Sequence, residues 1–260
     1  MILLPLPRRP ELLSDEHRSP GLVFAMDATR RDVDYGDEYD WFAMEYPRIF
    51  RYHLGHVEHR LGDIYAAYER YHEHYEKEVA GDEATLESAV YNREVEVLYW
   101  DFEAFLSAAS CALDIVARIL TTGFASPVPV SFNRFIKRAD GPFRDILARA
   151  NGEWVARFKD YRDCFVHYTP ISRMPLIGVT RYTDGFELRC SLPTNPNKRE
   201  NALFHYNRRT ELLKYTLRVY RKLRELDSEV AGTIADLHAA GRFPARTTNL
   251  IGVSARQRAG

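Results

Sequence analysis

The stretch FRYHLGHVEHRLGDIYAAYERYHEHY, residues 50–75, places an apolar or aromatic side chain at every third or fourth position. This spacing follows the 3.6-residue turn of an α-helix and predicts one buried stripe along it. Outward from this stretch, the pattern predicts a long helix over residues 41–79, bent after Pro47 and ended by Gly81. The stripe consists of Tyr46, Phe50, Leu54, Val57, Leu61, Ile64, Tyr68, Tyr71 and Tyr75.

A second apolar stripe predicts another long helix over residues 86–120, which Gly123 and Pro127 end. Two long amphipathic helices joined by a short connection typically pack as an antiparallel pair. We therefore expect a long antiparallel helical hairpin. The second stripe consists of Leu98, Phe102, Phe105, Ala109, Ala112, Val116 and Ile119.

The rest of the chain predicts more helix and one small β-hairpin. At residues 176–192 the period changes to alternation around Asp184 and Gly185, a pair that favours a tight turn. The predicted fold class is thus mainly α, a helical bundle with one β-hairpin inserted in a domain of residues 41–240. An irregular arm is expected before it, at 1–40, and a basic mobile tail after it, at 241–260. The further helices are predicted at 131–139, 142–150, 153–168 and 202–240.

Composition predicts a cytoplasmic protein that does not contact the membrane. The N-terminal apolar run is broken by Pro5 and Pro7, so no signal peptide is expected. The longest apolar run, 104–120, carries Asp114 and Arg118 and is too short and too charged to span a bilayer. Three cysteines without a CxxC spacing predict reduced thiols and no structural zinc site.

The net charge of −1 hides an uneven distribution along the chain. Residues 1–103 hold 23 acids and 11 bases, whereas residues 104–260 hold 14 acids and 25 bases. Such a split is consistent with a polyanion bound to the basic half. It is equally consistent with the two halves, or two protomers, packing on each other.

A different pattern stands at residues 161–168, YRDCFVHY, where Asp163 directly follows Arg162 and four residues separate Arg162 from His167. This segment resembles the motif of the HEPN superfamily (higher eukaryotes and prokaryotes nucleotide-binding): an arginine, four to six residues, then a histidine, often with a polar residue after the arginine. Tyr168 is similar to the tyrosine that follows the histidine in the kinase-extension nucleases of that superfamily. The resemblance implies a HEPN-like helical bundle and a metal-independent ribonuclease whose catalytic residues are Arg162, Asp163 and His167.

Spacing alone does not single out this pair, because other arginine–histidine pairs also have four to six residues between them. The context does: only Arg162 is followed by a short polar residue, and it lies in a late helix of the predicted bundle. The other pairs are Arg48/His53, Arg51/His56 and Arg199/His205.

A helical wheel of the predicted helix 153–168 turns the motif away from the core. At ~100° per residue, Asp163 and His167 lie together opposite the aromatic face, and Arg162 lies about 140° from His167. One copy therefore brings Arg162 and His167 together poorly, and a two-fold dimer would solve this. HEPN nucleases are known for composite sites of that kind, so the resemblance implies a homodimer. The aromatic face consists of Trp154, Phe158, Tyr161 and Phe165.

The chemistry expected at this motif needs no cofactor. RNA carries its own nucleophile, the 2′-hydroxyl, and an imidazole can exchange a proton near neutral pH. The dipole at the C-terminal end of a helix stabilises a positive charge and so favours the protonated form of His167. That form can donate a proton, which favours the role of acid for His167. Arg162 would stabilise the charged phosphate oxygens, and Asp163 would orient one of the two. Such enzymes are commonly toxins or defence effectors, which implies an antitoxin or an activating partner.

Other interpretations remain open. Arg162 and Asp163 are equally compatible with an ordinary solvated helix surface, or with a non-catalytic HEPN-like module for RNA binding or dimerisation. His53, His56 and His59 suggest a metal site, but their spacing turns them around the helix rather than toward one ion. The last long helix also carries a basic face that could follow an RNA backbone or meet the acidic half. Its basic residues are Arg208, Arg209, Lys214, Arg218, Arg221, Lys222 and Arg224.

Overall fold

The structure, a computed structural model, is mainly helical with one small antiparallel sheet, which confirms the predicted class at that level. The residues it describes are 3–10, 20–32, 36–80, 89–90, 92–123, 131–168, 177–182, 185–198 and 204–242. The α-helices are α1 (Gly21–Asp32), α2 (Gly36–Ala80), α3 (Arg93–Gly123), α4 (Phe132–Arg138), α5 (Pro142–Ala150), α6 (Ala156–Asp163) and α7 (Leu212–Ala239). Two π-helical turns, Asn151–Val155 and Cys164–Tyr168, precede and follow α6. The strands are β1 (Ala89–Val90), β2 (Ile177–Tyr182), β3 (Gly185–Pro193) and β4 (Tyr206–Glu211).

The chain divides into two compact units, each assembled from three separate segments. Unit 1 comprises Met1–Leu12, His56–Ser107 and Ala156–Arg221. Unit 2 comprises Leu13–Gly55, Ala108–Val155 and Lys222–Gly260. The motif at 161–168 belongs to unit 1.

In unit 1, α2 and α3 run antiparallel, as predicted for the long hairpin. Arg60 hydrogen-bonds to Asp101 at 2.9 Å, and Tyr71, further along α2, hydrogen-bonds to Asn92, just before α3, at 3.0 Å. Side chains of the two predicted stripes are buried in this pair, because the 3–4 spacing keeps them on one face.

The sheet of unit 1 has the strand order β1-β2-β3-β4, with antiparallel neighbours. The predicted hairpin is confirmed as β2 and β3, with Tyr182 paired to Gly185. The prediction that helix begins at about residue 202 is wrong, because Tyr206–Glu211 pairs with β3 as strand β4 and α7 begins only at Leu212. Backbone pairing to β3 decides the conformation of this polar segment.

Two further predictions about helices are corrected. The arm expected to be irregular over 1–40 contains α1, and α2 begins at Gly36 rather than at 41. In unit 2, the buried carboxylate of Asp227 accepts hydrogen bonds from the N–H groups of Gly21 and Leu22, both at 2.8 Å. These bonds satisfy donors that the first turn of α1 leaves unpaired.

The helix break expected at Asn151 and Gly152 is also absent. Asn151 has right-handed helical angles (φ −62°, ψ −46°), and a π-helical turn carries the chain on into α6. The π-turn accommodates these residues without ending the helix, because its wider ring still pairs the backbone. The basic tail lies outside the described residues beyond Arg242.

One helical stretch, Arg93–Thr121, is long and apolar enough to cross a membrane by length and composition alone, so the expectation that this region is too short and too charged to do so is wrong for the whole helix. Of that apolar window, 67% is buried inside the protein, as in the core helix of a soluble protein.

Candidate functional site

The aromatic face predicted for the motif helix is the buried face. Phe158 and Tyr161 are fully buried in unit 1, and Phe165 packs edge-on against Phe102 with ring centres 5.2 Å apart. Tyr161 donates a hydrogen bond of 2.5 Å to the carbonyl of Pro193 in β3. These contacts fix the rotation of α6 and leave its opposite side to the polar residues.

Arg162 and Asp163 form an ion pair at the partly exposed border of the buried face. Arg162 Nε lies 3.1 Å from Asp163 Oδ1, and the two side chains are 30% and 43% exposed. Nε itself is buried, and this short approach is not a hydrogen bond by its geometry. The carboxylate therefore restrains the guanidinium while other N–H donors of its fork remain available to a phosphate.

His167 is exposed and lies in the π-turn Cys164–Tyr168 that follows α6. In a π-turn the backbone hydrogen bond joins residues five apart, so each residue rotates the chain by less than the ~100° of an α-helix. The 140° separation predicted for Arg162 and His167 on a straight helix is therefore too large. The wide turn brings two residues five apart closer to one face.

The exposed row of α6 extends back from the motif. Arg157, Asp160 and Asp163 follow at intervals of three, and His167 is four residues further, so neighbours in the row lie on adjacent turns. Burial, and next the charge of Asp163, raise the pKa of Asp160, and the charge of Arg157 opposes them. Two neighbouring carboxylates thus lie between Arg157 and His167 along this edge of unit 1.

An exposed aromatic ring beside the π-turn was not predicted, because residues 206–211 were expected to be helical. Tyr206 in β4 is 47% exposed. Partial burial and the nearby thiol of Cys164 raise its pKa to about 12. The ring remains accessible while its hydroxyl keeps its proton at neutral pH.

A buried polar cluster, also missed from the sequence, lies where β4 meets α7. The carboxylate of Glu211 accepts hydrogen bonds from the Tyr68 hydroxyl and from the N–H groups of Leu213, at 3.1 Å, and Lys214, at 2.8 Å. Burial raises the pKa of Glu211 and raises the pKa of Tyr68 well above its ordinary value. Glu211 is the N-cap of α7, and its role is structural.

The histidines of α2 do not form a metal site in the described part of the chain. His53 is half-buried, His56 is exposed, and exposed His59 lies 3.6 Å from Asp63. Among the described residues, no group of three or more His, Cys, Asp or Glu side chains could hold a metal ion. The arrangement agrees with the expected divergence of these histidines around the helix.

Comparison with known proteins adds no relative: no protein-family model, no curated protein and no solved structure matches this chain.

Proposed function

We propose that this chain is a metal-independent endoribonuclease of the HEPN type, with Arg162, Asp163 and His167 as its catalytic residues. The observation that carries the proposal is the exposed end of α6, where a π-turn follows a restrained Arg162–Asp163 pair and presents His167 to solvent. π-turns inside helices occur frequently at functional sites.

The reaction would be a transesterification within the RNA strand. The 2′-hydroxyl oxygen attacks the adjacent phosphorus, the bond from phosphorus to the 5′-oxygen breaks, and the 2′-proton passes to solvent water. His167 gives a proton to the leaving 5′-oxygen, and Arg162 stabilises the charge on the non-bridging oxygens. The products are a 2′,3′-cyclic phosphate and a 5′-hydroxyl, with no oxidant or metal required.

An exposed aromatic ring near the motif supports RNA as the substrate. Tyr206 lies close to Cys164, within the π-turn that carries His167. Aromatic rings stack on unpaired bases at about 1–3 kcal/mol for each base. A base stacked there would hold a single-stranded region beside the motif.

The direct test incubates the purified protein with mixed RNA in EDTA, beside His167→Ala. The expected result is cleavage by the parent protein in EDTA, 5′-hydroxyl ends, and a loss of rate of about 100-fold or more in the variant, as for a general acid or base. His56→Ala is the matched control, because the Arg51–His56 pair has the same spacing and both residues are exposed. An equal loss of cleavage rate in His167→Ala and His56→Ala contradicts the proposal, and so does cleavage that EDTA abolishes. RNA binding without cleavage favours the non-catalytic module.

The proposed biological role is that of a toxin or defence effector, and it rests on the resemblance. Induced expression in a bacterial host is expected to stop growth. His167→Ala, made at the same level, should restore growth. Growth arrest by both proteins would separate toxicity from RNA cleavage.

A further inference from the structure

A second polar site in unit 1 surrounds the hydroxyl of Tyr215 on α7. This oxygen is buried and has no hydrogen-bond partner among the residues that the structure describes. The ring itself is half-buried and lies 4.5 Å, centre to centre, from the ring of Tyr161 on α6. A buried hydroxyl left unpaired costs about 1–3 kcal/mol, so its presence points to a partner that binds from outside.

Two arginines flank this hydroxyl. Arg218 is one turn after Tyr215 on α7 and is exposed. Arg157 is exposed on α6, lies 5.8 Å over the ring of Tyr161, and donates a hydrogen bond of 3.2 Å to the Thr194 carbonyl. A guanidinium has five N–H donors, so these contacts leave donors for a ligand.

The balance of charge at this site favours an anion. Burial raises the pKa of Tyr215 well above its ordinary value, and Tyr161 adds to that effect. The positive charges of Arg157 and Arg218 act on the same hydroxyl in the opposite direction, and Asp160 is the acid that acts on it. Two cations and a protonated hydroxyl donor against one carboxylate suit a phosphate group, which accepts several hydrogen bonds.

We propose that Tyr215, Arg157 and Arg218 bind a phosphate of the RNA strand that flanks the cleavage site, an inference that rests on the proposed ribonuclease function. Arg157 is ten residues before His167 on the row Arg157–Asp160–Asp163–His167, which is about 15 Å at the α-helical rise. The phosphate bound here is therefore not the one cleaved. The hydroxyl is covered in the unbound protein, so binding draws the Arg157 side chain from Thr194 onto the phosphate and opens the way to Tyr215.

The test measures binding of a fully 2′-O-methylated RNA oligomer, which cannot be cleaved, by fluorescence anisotropy over a range of salt concentrations. Arg157→Ala should weaken binding about 10-fold at low salt and reduce the slope of log K against log salt by about 0.7, the value for one phosphate contact on a single strand. Arg144→Ala, which removes an exposed cation from α5, is the matched control and should leave the slope unchanged.

Tyr215→Phe separates a ligand contact from a structural one. It should weaken RNA binding about 2- to 10-fold, as expected for one lost hydrogen bond, and leave the melting temperature of the free protein unchanged or raised. Tyr220→Phe is the contrast: its hydroxyl hydrogen-bonds to buried Glu58 at 2.6 Å, so that variant should melt at lower temperature.

Two outcomes overturn the subsite. In the first, Tyr215→Phe and Arg157→Ala bind RNA as tightly as the parent protein does. In the second, Tyr215→Phe melts at a lower temperature than the parent protein. A competition arm with inorganic phosphate at constant ionic strength distinguishes a free anion from a strand. If phosphate binds through Tyr215 but neither variant changes RNA affinity, the site takes a free anion and the strand subsite is rejected. Because this oligomer is never cleaved, the binding result stands even if the protein proves not to be a ribonuclease. If the parent protein cleaves RNA but the two variants bind the oligomer as the parent does, the subsite is rejected and the proposed ribonuclease function is not.

Discussion

Glu211 ends β4 and caps α7 with a carboxylate that is 4% exposed. Its Oε1 and Oε2 accept hydrogen bonds from Leu213 and Lys214, and Tyr68 donates a further one. These bonds lower the pKa of Glu211, but burial acts more strongly and the net shift is upward. The folded protein therefore binds the Glu211 proton more tightly than the unfolded chain does.

The sign of this shift gives a pH-dependence at the residue scale. The stabilising contribution of protonated Glu211 is fully present below its unfolded pKa and is lost as the pH rises through its folded pKa. Glu211→Gln does not titrate. The free energy of unfolding of the parent protein minus that of the variant should therefore fall as the pH rises from about 4 toward neutrality, by about 1.4 kcal/mol for each unit by which the pKa is raised.

Urea unfolding at a series of pH values measures this difference. Glu225→Gln is the matched control, since Glu225 is exposed on the same helix and pairs with Lys222. That control should show no such decrease. If the free energy of unfolding of the parent protein minus that of Glu211→Gln stays constant or rises with pH, the pKa of Glu211 is not raised by folding.

At the scale of elements, α1 depends on one residue far away in sequence. Asp227 on α7 accepts hydrogen bonds from the N–H groups of Gly21 and Leu22. Asp227→Ala leaves both donors unpaired, at a cost of about 1–3 kcal/mol for each buried group. We expect faster amide hydrogen exchange across α1 and a lower free energy of unfolding.

Asp236→Ala, at an exposed position of the same helix α7, serves as the control for that prediction. It should change neither the exchange of α1 nor the unfolding free energy by more than about 0.5 kcal/mol. Unchanged protection of α1 in Asp227→Ala would mean that other contacts hold the helix.

The same contact explains which elements the sequence could predict. Leu54 and Ile64 are buried on α2 because periodicity reports burial directly, so the long hairpin was predictable. Helix α1 was missed because Asp227, its partner, is more than 200 residues away in the chain. Strand β4 was missed because its polar sequence has no alternation and its conformation depends on pairing with β3.

The candidate site shows the same limit at closer range. The wheel correctly placed Phe158 and Tyr161 in the core and His167 at the surface. It could not predict the π-turn Cys164–Tyr168, because a wheel assumes one fixed rotation per residue. The angle between Arg162 and His167 was therefore overestimated, although the exposed side was correct.

At the scale of the whole molecule, the uneven charge is consistent with the proposed partner for the basic half. Arg149 pairs with Glu229, and Lys214 pairs with Glu187, so these bases use acids from their own half of the sequence. Exposed cations such as Arg157 and Arg218 lie on the unit that carries the motif. This arrangement supports a polyanion as the partner and is consistent with the proposed RNA substrate.

The π-turn weakens one argument for a dimer and leaves another. Arg162 and His167 are closer on the helix than a straight wheel predicts, so one copy could bring them to the same phosphate. His167 is nevertheless exposed and the Arg162 side chain is partly exposed, so a second protomer could complete the site at this surface. A site in one chain and a site shared between two chains differ in how inactive variants behave when mixed.

Mixing Arg162→Ala with His167→Ala decides between these two arrangements. If one protomer supplies Arg162 and its partner supplies His167, random reassociation makes half of the dimers mixed, and each mixed dimer has one intact site of two. Cleavage should then return to about a quarter of the parent rate, although each variant alone is inactive. Mixed dimers can be isolated by giving the two variants different tags, unfolding and refolding them together, and purifying through both tags. These dimers should cleave at about half of the parent rate. Mixed dimers without activity, or a parent protein that is monomeric at the concentration at which it cleaves, would show that the site is not shared in this way.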